Sequence, residues 1–453
     1  MEFNAYFQSL KGKNIAVLGL GVSNRPLVKL LLSFGCAVIG CDRTPREKLD
    51  KEVLQLEEMG CRLSLGETYL DSVSADLVFR TPGMHPSNPG ILRLRQGGAE
   101  ITSEMEVFFE LCTCPIIAVT GSDGKTTTTT LIAEMLKAEG KRVWVGGNIG
   151  TPLLPVCDQI QPSDFVVVEL SSFQLMDMHR SPQRALITNL APNHLDVHKD
   201  MDEYVEAKKN IYRFQNDDGI LVVNADNALT APLQGNGLTC SFSRQGRPGC
   251  RVTLLDDKIC LDGKPIVNTE DILLPGVHNI ENYMAAILTV ADLVSEQTVQ
   301  KVAKTFGGVE HRIELVRVKD GVRYYNDSIA SSPSRTIAGL RSFSKKTILI
   351  AGGYDKQIPF DELGVEICSR AKAVYLNGTT ASAIRQAVEN APNYIPGNPV
   401  LVDCADFADA VHKASAVARS GDIVLMSPAC AAFDQFKNFI ERGKCFKKLV
   451  MEL

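Results

Sequence analysis

The stretch Thr120-Gly121-Ser122-Asp123-Gly124-Lys125-Thr126-Thr127 joins an apolar run, Ile116 to Thr120, to a threonine-rich segment. The apolar run predicts a buried strand, and the threonine-rich segment predicts the start of a helix. Glycines in such a turn let successive backbone N–H groups point at phosphate oxygens, and the helix N-terminus adds a partial positive charge. The stretch therefore predicts a phosphate loop that binds ATP.

The same loop carries the two side chains that a nucleotide site needs. Lys125 is predicted to reach the β- and γ-phosphates, and the Thr126 hydroxyl is predicted to ligate Mg²⁺. Val119 stands where the eight-residue motif has its first glycine, so only a shortened GxxGKT remains. An ordinary strand-to-helix turn is the alternative interpretation.

Short apolar runs alternate with helical patterns along the chain. The runs that predict strands are Asn14–Gly19, Ala37–Cys41, Leu77–Phe79, Ile116–Thr120, Phe165–Leu170, Ala185–Asn189, Gly219–Asn224, Thr347–Ala351, Ala373–Leu376, Val400–Asp403 and Ile423–Met426. Strands and helices in alternation imply parallel sheets with right-handed crossovers. The polar, glycine-rich residues 233–263 instead predict loops and hairpins.

The alternation restarts twice, near residues 109–115 and after Arg312, which predicts three α/β domains in series. We expect an N-terminal Rossmann-like domain over 1–111 and a central P-loop-type domain with a parallel mononucleotide-binding sheet over 112–308. The C-terminal domain, 309–453, is expected to be Rossmann-like and to close over ATP.

Composition limits the possible functions. Apolar residues make up 45% and charged residues 22% of the 453 residues, and the net charge is -5. This balance is typical of globular proteins and gives no electrostatic reason to expect nucleic acid or an anionic membrane as a partner. There is no apolar run of membrane-spanning length, no secretory signal and no CxxC among the 13 cysteines. We therefore expect a cytoplasmic protein with reduced thiols that acts on small molecules.

Two further segments are predicted to lie beside the phosphate loop. Glu169 ends the strand FVVVEL, and His194 lies in the segment 193–196 after the next strand. Open α/β sheets bind ligands at the carboxyl edge where these segments emerge, so both suit a Mg²⁺ site. A solvated acid at a strand end and a hydrogen-bonded loop histidine are the alternatives. The histidines at 85, 179, 198 and 412 are interpreted as structural or exposed.

A second glycine loop occurs at residues 19–24, directly after the first predicted strand. It lacks the third glycine of the dinucleotide fingerprint GxGxxG, although Asp42 follows the second strand as that fingerprint expects. An incomplete fingerprint is weak evidence for NAD. A dehydrogenase therefore stays an alternative that rests on this loop alone.

The chain resembles the Mur ligases over essentially its entire length. The segments that carry the resemblance are TGSDGKTT (120–127), GGNIGTPL (146–153), ELSSFQL (169–175), TNLAPNHLDVH (188–198), AKKNIY (207–212), GVHNIEN (276–282), EHRIE (310–314), YNDSIASSP (325–333), GGYDK (352–356) and SPACAAFDQFKNF (427–439). The phenylalanine in ELSSFQL and the SPAC…DQF segment favour the members that add D-glutamate.

The resemblance implies an ATP-dependent amide ligase of peptidoglycan precursor synthesis. ATP would phosphorylate the carboxylate of UDP-N-acetylmuramoyl-L-alanine, and the amine of D-glutamate would attack the acyl phosphate. Thr126 and Glu169 would hold one Mg²⁺, and His194 with Lys208 would serve a second. Lys208 would act as a carbamate formed with CO₂; an exposed helix lysine is the alternative. A monomer without nucleic-acid partners or membrane insertion is expected.

The resemblance also implies three groups of ligand-binding residues. ATP would contact Gly121, Ser122, Asp123, Gly124, Lys125, Thr126, Thr127, Asn279, Asn282, Arg312 and Asp327. The UDP substrate would contact Gly21, Val22, Ser23, Asp42, Arg43, Thr81, Pro82, Gly83 and Asn148. D-Glutamate would contact Ser331, Lys356, Phe433 and Phe439. For Arg312 and Lys356, a surface ion pair is the alternative.

The sequence departs from the family pattern at two positions. Ile329 replaces a frequent lysine and Ala432 a frequent serine, and both lie around the expected glutamate pocket. Another Mur ligase step or a folylpolyglutamate synthase-like reaction remains the nearest alternative function. From another class, the alternative is a degenerate ATP-binding regulator.

Overall fold

The computed structural model describes residues 2–194 and 197–453. The chain divides into two compact units, Met1–Thr269 with Ile280–Val302, and Glu270–Asn279 with Ala303–Leu453. Three sheets, all dominated by parallel pairs, confirm the predicted α/β class. The predicted domain limits at 111/112 and 308/309 stay a prediction.

The first sheet has five parallel strands in the order β3-β2-β1-β4-β5. Its strands are β1 (Asn14–Leu18), β2 (Ala37–Asp42), β3 (Arg62–Leu65), β4 (Leu77–Phe79) and β5 (Glu100–Thr102). Its helices are α1 (Phe3–Ser9), α2 (Asn24–Ser33), α3 (Lys51–Glu58), α4 (Pro89–Gln96) and α5 (Glu104–Leu111). The order reverses between β1 and β4, which places the 19–24 loop at the crevice where such sheets bind ligands.

The second sheet has nine strands in the order β14-β13-β12-β11-β10-β9-β6-β8-β7. They are β6 (Ile116–Thr120), β7 (Val143–Gly147), β8 (Phe165–Glu169), β9 (Arg184–Ile187), β10 (Ile220–Asn224), β11 (Leu238–Ser243), β12 (Val252–Leu255), β13 (Lys258–Leu261) and β14 (Lys264–Asn268). The helices that follow the chain here are α6 (Lys125–Ala138), α7 (Ser172–Leu175), α8 (Met201–Arg213), α9 (Val277–Thr289) and α10 (Glu296–Thr305). Strand β6 lies between β8 and β9, so the phosphate loop is flanked by the ends of both.

The third sheet has six strands in the order β15-β16-β20-β17-β18-β19. They are β15 (Glu314–Lys319), β16 (Val322–Asn326), β17 (Thr347–Ala351), β18 (Ala371–Leu376), β19 (Val400–Asp403) and β20 (Ile423–Met426). The helices are α11 (Pro333–Arg341), α12 (Asp361–Arg370), α13 (Ala381–Glu389), α14 (Phe407–Val417) and α15 (Phe439–Glu452). Only the β15–β16 pair is antiparallel.

The expectation of loops and hairpins over 233–263 is correct only in part. Strands β12 to β14 do pair as antiparallel hairpins. Strand β11, however, pairs in parallel with β10 and extends the main sheet without an intervening helix. A short turn at residues 227–233, held by Asn227 and Thr230, replaces the crossover helix.

Each sheet is enclosed by apolar side chains from its helices. Phe108 of α5 and Val168 of β8 belong to one continuous core of the first unit, and Phe446 of α15 packs with Val424 of β20 in the second. All thirteen cysteines are free thiols. Within the described ranges, no helix has the length and apolar character needed to cross a bilayer.

Helix α15 offers a test of the core of the second unit. Phe446 is fully buried, whereas Met451 on the same helix is 62% exposed. Phe446→Ala should lower the free energy of unfolding by about 3–5 kcal/mol because it leaves a cavity, and Met451→Ala should change it by less than about 0.5 kcal/mol. Urea denaturation measures both. Equal effects of the two substitutions would contradict this packing.

Candidate active site

The phosphate loop ends in a residue with a left-handed backbone conformation, directly before α6. Gly124 has φ +77° and precedes Lys125, the first residue of the helix. A β-carbon on Gly124 would lie 2.3 Å from Oδ1 of Asn282, and that oxygen accepts a hydrogen bond from the Thr128 hydroxyl at 3.2 Å. Glycine is therefore required both for the backbone conformation and for the close approach of Asn282.

The loop is tied to the segment that follows β9. The Ser122 hydroxyl donates to the carbonyl of Ala191 at 2.9 Å, and the backbone N–H of Asp123 donates to Oδ1 of Asn189 at 3.0 Å. The Thr188 hydroxyl donates to the carbonyl of Asp123 at 2.6 Å. These bonds hold the loop in place through neighbours at the same sheet edge.

Lys125 folds back over the loop that it follows. Its Nζ donates to the carbonyl oxygens of Gly121 at 3.0 Å and Ser122 at 2.9 Å. Both acceptors are uncharged carbonyl oxygens of the loop itself. The predicted contact of Lys125 with phosphate oxygens stays a prediction.

Glu169 is the central acid of this edge. It ends β8, is 1% exposed, and accepts hydrogen bonds from the Thr126 hydroxyl at 2.7 Å and from Nδ2 of Asn148 at 2.8 Å. The backbone N–H of Asn148 also donates to the carbonyl of Glu169 at 2.8 Å. The structure therefore brings together three predicted site residues, and the alternative of a solvated strand-end acid is wrong.

The oxygen atoms of Glu169 and Thr126 are suitable ligands for a hard cation. A carboxylate and a hydroxyl oxygen within 2.7 Å of each other match the oxygen ligands of Mg²⁺, which usually keeps few protein ligands and takes the rest from water and phosphate. Within the described residues no group of three or more His, Cys, Asp or Glu side chains forms a complete metal cage. The pair suits a metal that arrives with a nucleotide.

Lys208 projects from α8 into the same region and is 1% exposed. Its Nζ donates to the Thr120 hydroxyl at 3.1 Å and to the Gly121 carbonyl at 2.9 Å. Burial, reinforced by the charge of Lys125, lowers the pKa of Lys208 well below its usual range, although the Glu169 and Asp123 carboxylates oppose the shift. The alternative of an exposed helix lysine is therefore wrong, and burial disfavours the charged form of the amine.

His194 lies nearby but is less constrained. It has φ +54°, and its ring contacts Phe173 edge-on with the ring centroids 5.1 Å apart. The side chain is exposed, and its nitrogens have no hydrogen-bond partner among the described residues. Leu195 and Asp196 of the predicted edge segment lie outside those residues. The metal role of His194 stays a prediction.

Two further aromatic residues pack in this region: Tyr204, which sequence reasoning missed, and His198, whose interpretation as a structural histidine is confirmed. His198 is 2% exposed, stacks on Phe173 and bonds through Nε2 to the Ser172 hydroxyl at 2.8 Å. Tyr204 bonds to the Ser122 hydroxyl at 2.9 Å, and its ring centroid lies 4.8 Å from Nζ of Lys208. The spacing of four between Tyr204 and Lys208 was the signal for a shared helix face.

The predicted UDP loop lies at the carboxyl end of β1. Asp42 accepts the backbone N–H groups of Leu20 and Thr44, each at 2.8 Å. Burial alone would raise the pKa of Asp42, but these bonds outweigh it, and the pKa is lowered. Gly21, Val22 and Ser23 are exposed, and Thr81 packs against Gly19. Arg43 is also exposed and pairs with Glu67.

In the second unit, the side chain of Asp327 is buried rather than exposed to solvent. Its carboxylate accepts the Ser427 hydroxyl at 2.7 Å and the backbone N–H of Ile313 at 3.3 Å, and it is 4% exposed. Burial raises the pKa of Asp327 to about 7, against the opposing effects of these bonds and of Arg312. Asp327 therefore braces the segment that carries Arg312.

The other predicted residues of the second unit differ in exposure. Lys356 and Phe433 are exposed, Ser331 and Phe439 are half-buried, and Lys356 forms no ion pair within the described residues. Asn279 is buried and donates to the carbonyl of Pro275 at 2.7 Å. The alternative of a surface ion pair therefore does not apply to Lys356 among these residues.

The sequence is similar to proteins of known families along most of its length. Residues 119–290 match the Mur ligase middle domain, and residues 311–430 match the Mur ligase glutamate ligase domain. A protein of Acetivibrio thermocellus named UDP-N-acetylmuramoylalanine–D-glutamate ligase is 49% identical, covering 99% of this chain and 98% of that protein. The chain belongs to the Mur ligase family.

Other relatives of this Mur ligase carry the same name. Proteins of Clostridium novyi and Clostridium perfringens are 47% and 45% identical over at least 99% of both chains. Among solved structures, UDP-N-acetylmuramate-alanine ligase from Thermotoga maritima matches 97% of this chain and 99% of its own, with a TM-score of 0.55 and 20% identity. A UDP-N-acetylmuramoyl-L-alanyl-D-glutamate–2,6-diaminopimelate ligase matches 97% and 93%, with a TM-score of 0.59 and 18% identity. These two structures support the fold alone.

Two glycines that flank α6, Gly124 before it and Gly140 after it, test the phosphate loop of this Mur ligase. Gly124→Ala should raise the KM for ATP about tenfold or more, because the new methyl displaces Asn282 and the loop N–H groups move. Gly140→Ala shares the left-handed backbone, φ +85°, but has no atom within 4 Å, so it should cost about 1 kcal/mol of stability and leave the KM unchanged. Steady-state kinetics and thermal unfolding separate the effects. An unchanged KM for ATP in Gly124→Ala would contradict the loop geometry.

Proposed function

We propose that this chain joins D-glutamate to UDP-N-acetylmuramoyl-L-alanine with hydrolysis of ATP to ADP and phosphate. The observation that carries the assignment is the similarity over nearly its entire length to proteins named as D-glutamate ligases. The site supports the chemistry, because a phosphate loop, a buried carboxylate and a buried amine meet at one sheet edge. The reaction belongs to cytoplasmic peptidoglycan precursor synthesis, and we expect a monomer.

ATP is needed because a carboxylate is a poor acyl donor. A substrate carboxylate oxygen forms a bond to the γ-phosphorus, the bond to the β-phosphate oxygen breaks, and ADP leaves. The D-glutamate amine then attacks the acyl carbon, loses a proton, and phosphate departs from the tetrahedral intermediate. Lys125 stabilises the charge of the migrating phosphoryl group, which is the dominant catalytic term in such transfers.

Thr126 and Glu169 would hold one Mg²⁺, and His194 with a carbamate on Lys208 would serve a second. Bound Mg²⁺ would neutralise phosphate charge and orient the oxygens of the reacting groups. Asn148 keeps Glu169 in place through its side-chain amide. The same residue would contact the UDP substrate. Asn282 and Asp123 complete the ATP cradle.

The lysine carbamate is supported by the state of the Lys208 amine. A neutral amine nitrogen can add to the carbon of CO₂ with release of one proton, which turns an amine into an oxygen ligand. The lowered pKa of Lys208 keeps more of this nucleophile at neutral pH than an ordinary lysine would have. The product is an anion, which the nearby Lys125 stabilises.

Substrate selection is the first test of the function. Phosphate release should require UDP-N-acetylmuramoyl-L-alanine, ATP, Mg²⁺ and D-glutamate together. L-Glutamate, lysine and diaminopimelate should each give less than about 1% of that rate, because the amino-acid site must place one amine and two carboxylates in the D configuration, without a second amine. Turnover with a diamine or with a folate acceptor, but not with D-glutamate, would replace this assignment by another ligase of the family.

Adjacent lysines test the carbamate. Lys208→Ala should lower kcat roughly a hundredfold, because an anionic oxygen ligand of the second Mg²⁺ would be lost. Short carboxylates such as formate or acetate should restore part of that rate. Lys209→Ala, which removes only a surface ion pair with Glu206, should leave kcat within about twofold.

The rescue distinguishes a lost ligand from a lost structural contact. A Lys208→Ala enzyme that turns over normally, or one that no carboxylate or bicarbonate rescues although its thermal unfolding is unchanged, would remove the carbamate from the mechanism. In either case the substrate-selection result would still stand.

A further inference from the structure

Arg442, in the first turn of α15, is a charged side chain in the interior of the second unit. It is only 2% exposed. Burying a guanidinium is costly unless it is paired and hydrogen-bonded, yet none of the ion pairs found in the described part of the chain involves Arg442. Burial lowers the pKa of Arg442 to about 10, so the group stays charged at neutral pH.

The guanidinium is held by oxygens of two separate loops. Its Nε donates to the Ser328 hydroxyl at 3.0 Å, and one terminal nitrogen donates to the Ser328 carbonyl at 2.9 Å. The other terminal nitrogen donates to the Ala431 carbonyl at 3.2 Å. The Ser328 hydroxyl donates onward to the carbonyl of Phe439 at 2.7 Å. A planar fork with donors in fixed directions is needed to reach all of these acceptors.

A third loop meets the other two at the same point. The backbone N–H of Tyr354 donates to the Ala431 carbonyl at 2.9 Å. A β-carbon on Gly353 would lie 2.4 Å from that carbonyl and 3.3 Å from a terminal nitrogen of Arg442, so only glycine fits beside the guanidinium. The loops that carry Ser331, Lys356 and Phe433 are thus joined, with the start of α15, around one cation.

We propose that Arg442 is the positioning residue of the D-glutamate pocket, setting the relative placement of its three loops and adding positive charge behind them. This inference rests on the proposed function, because it takes those loops to hold the amino-acid substrate. The carboxylates that favour the charged form of Arg442 are those of Asp434 and Asp327, and neither forms an ion pair with it among the described residues. The Cys430 thiol adds no charge at neutral pH, because burial raises its pKa to about 11. A dicarboxylate substrate would supply the missing negative charge.

The fork geometry and the charge can be separated by substitution. Arg442→Lys keeps the charge but cannot reach the Ser328 and Ala431 oxygens together. Its KM for D-glutamate should rise about tenfold to a hundredfold, while the KM values for ATP and for the UDP substrate stay within about twofold. An equal rise in the KM values for all three substrates would mean a merely structural role and would overturn the proposal.

Arg317 offers a matched control, since it also donates to main-chain carbonyls of α15, those of Val450 and Met451. Arg317→Lys should lower the thermal unfolding temperature without changing the KM for D-glutamate. If Arg442→Lys does not fold, Ser328→Ala provides the second test, because it leaves Arg442 in place and removes the bridge to Phe439.

Ser328→Ala should raise the KM for D-glutamate about threefold to tenfold. A folded Arg442→Lys with an unchanged KM, or an unchanged KM in Ser328→Ala when the arginine variant is unfolded, would overturn the proposal. A wild-type enzyme that is active with D-glutamate in those experiments would keep the proposed function intact. A wild type inactive with D-glutamate would overturn both.

Discussion

Two lysine amines share one acceptor, the carbonyl oxygen of Gly121. Nζ of Lys125 lies 3.0 Å from it, and Nζ of Lys208 lies 2.9 Å from it. Two full positive charges at this spacing in a buried site repel strongly. The arrangement is stable when Lys208 is neutral, or when it carries a negative group that pairs with Lys125. The charge of Lys208 therefore determines how both lysines can lie beside one carbonyl oxygen.

The order of the strands in the second sheet brings these two lysines together. Because β6 lies between β8 and β9, the phosphate loop, Glu169 and the segment after β9 end at one edge. Helix α8 then crosses this edge with Lys208 and Tyr204 on the face that meets the loop. Parallel strands bring residues that are 40 to 90 positions apart in the chain within hydrogen-bond distance, which a single motif cannot do.

The sequence predicted those features that short, local stretches of residues encode. The phosphate loop, the strand that ends at Glu169 and the α/β class were all predictable, because apolar runs and glycine turns encode them locally. The burial of Lys208 was not, since it depends on how α8 packs against β6 and on the ring of Tyr204. The internal role of Asp327 was also missed, because its partner Ser427 lies 100 positions away.

Irregular connections between strands explain the other differences between the predicted and the observed fold. Strand β11 joins its sheet in parallel without a crossover helix, and the antiparallel β15–β16 pair begins the third sheet. Neither shows the regular strand–helix alternation on which the prediction relied. Arg442 gave no signal at all, because a lone arginine in an amphipathic helix is usually solvated, and only tertiary packing reveals that it is buried.

The chemical state of the Lys208 nitrogen is the point on which the account depends most. It can be measured by ¹³C NMR of the enzyme equilibrated with ¹³C-labelled bicarbonate at neutral pH, with Lys208→Met as the reference. We predict a protein-bound carbamate resonance that is absent from the variant and disappears reversibly on acidification. The same spectrum from the wild type and the variant, recorded on enzyme that is fully active, would contradict the account.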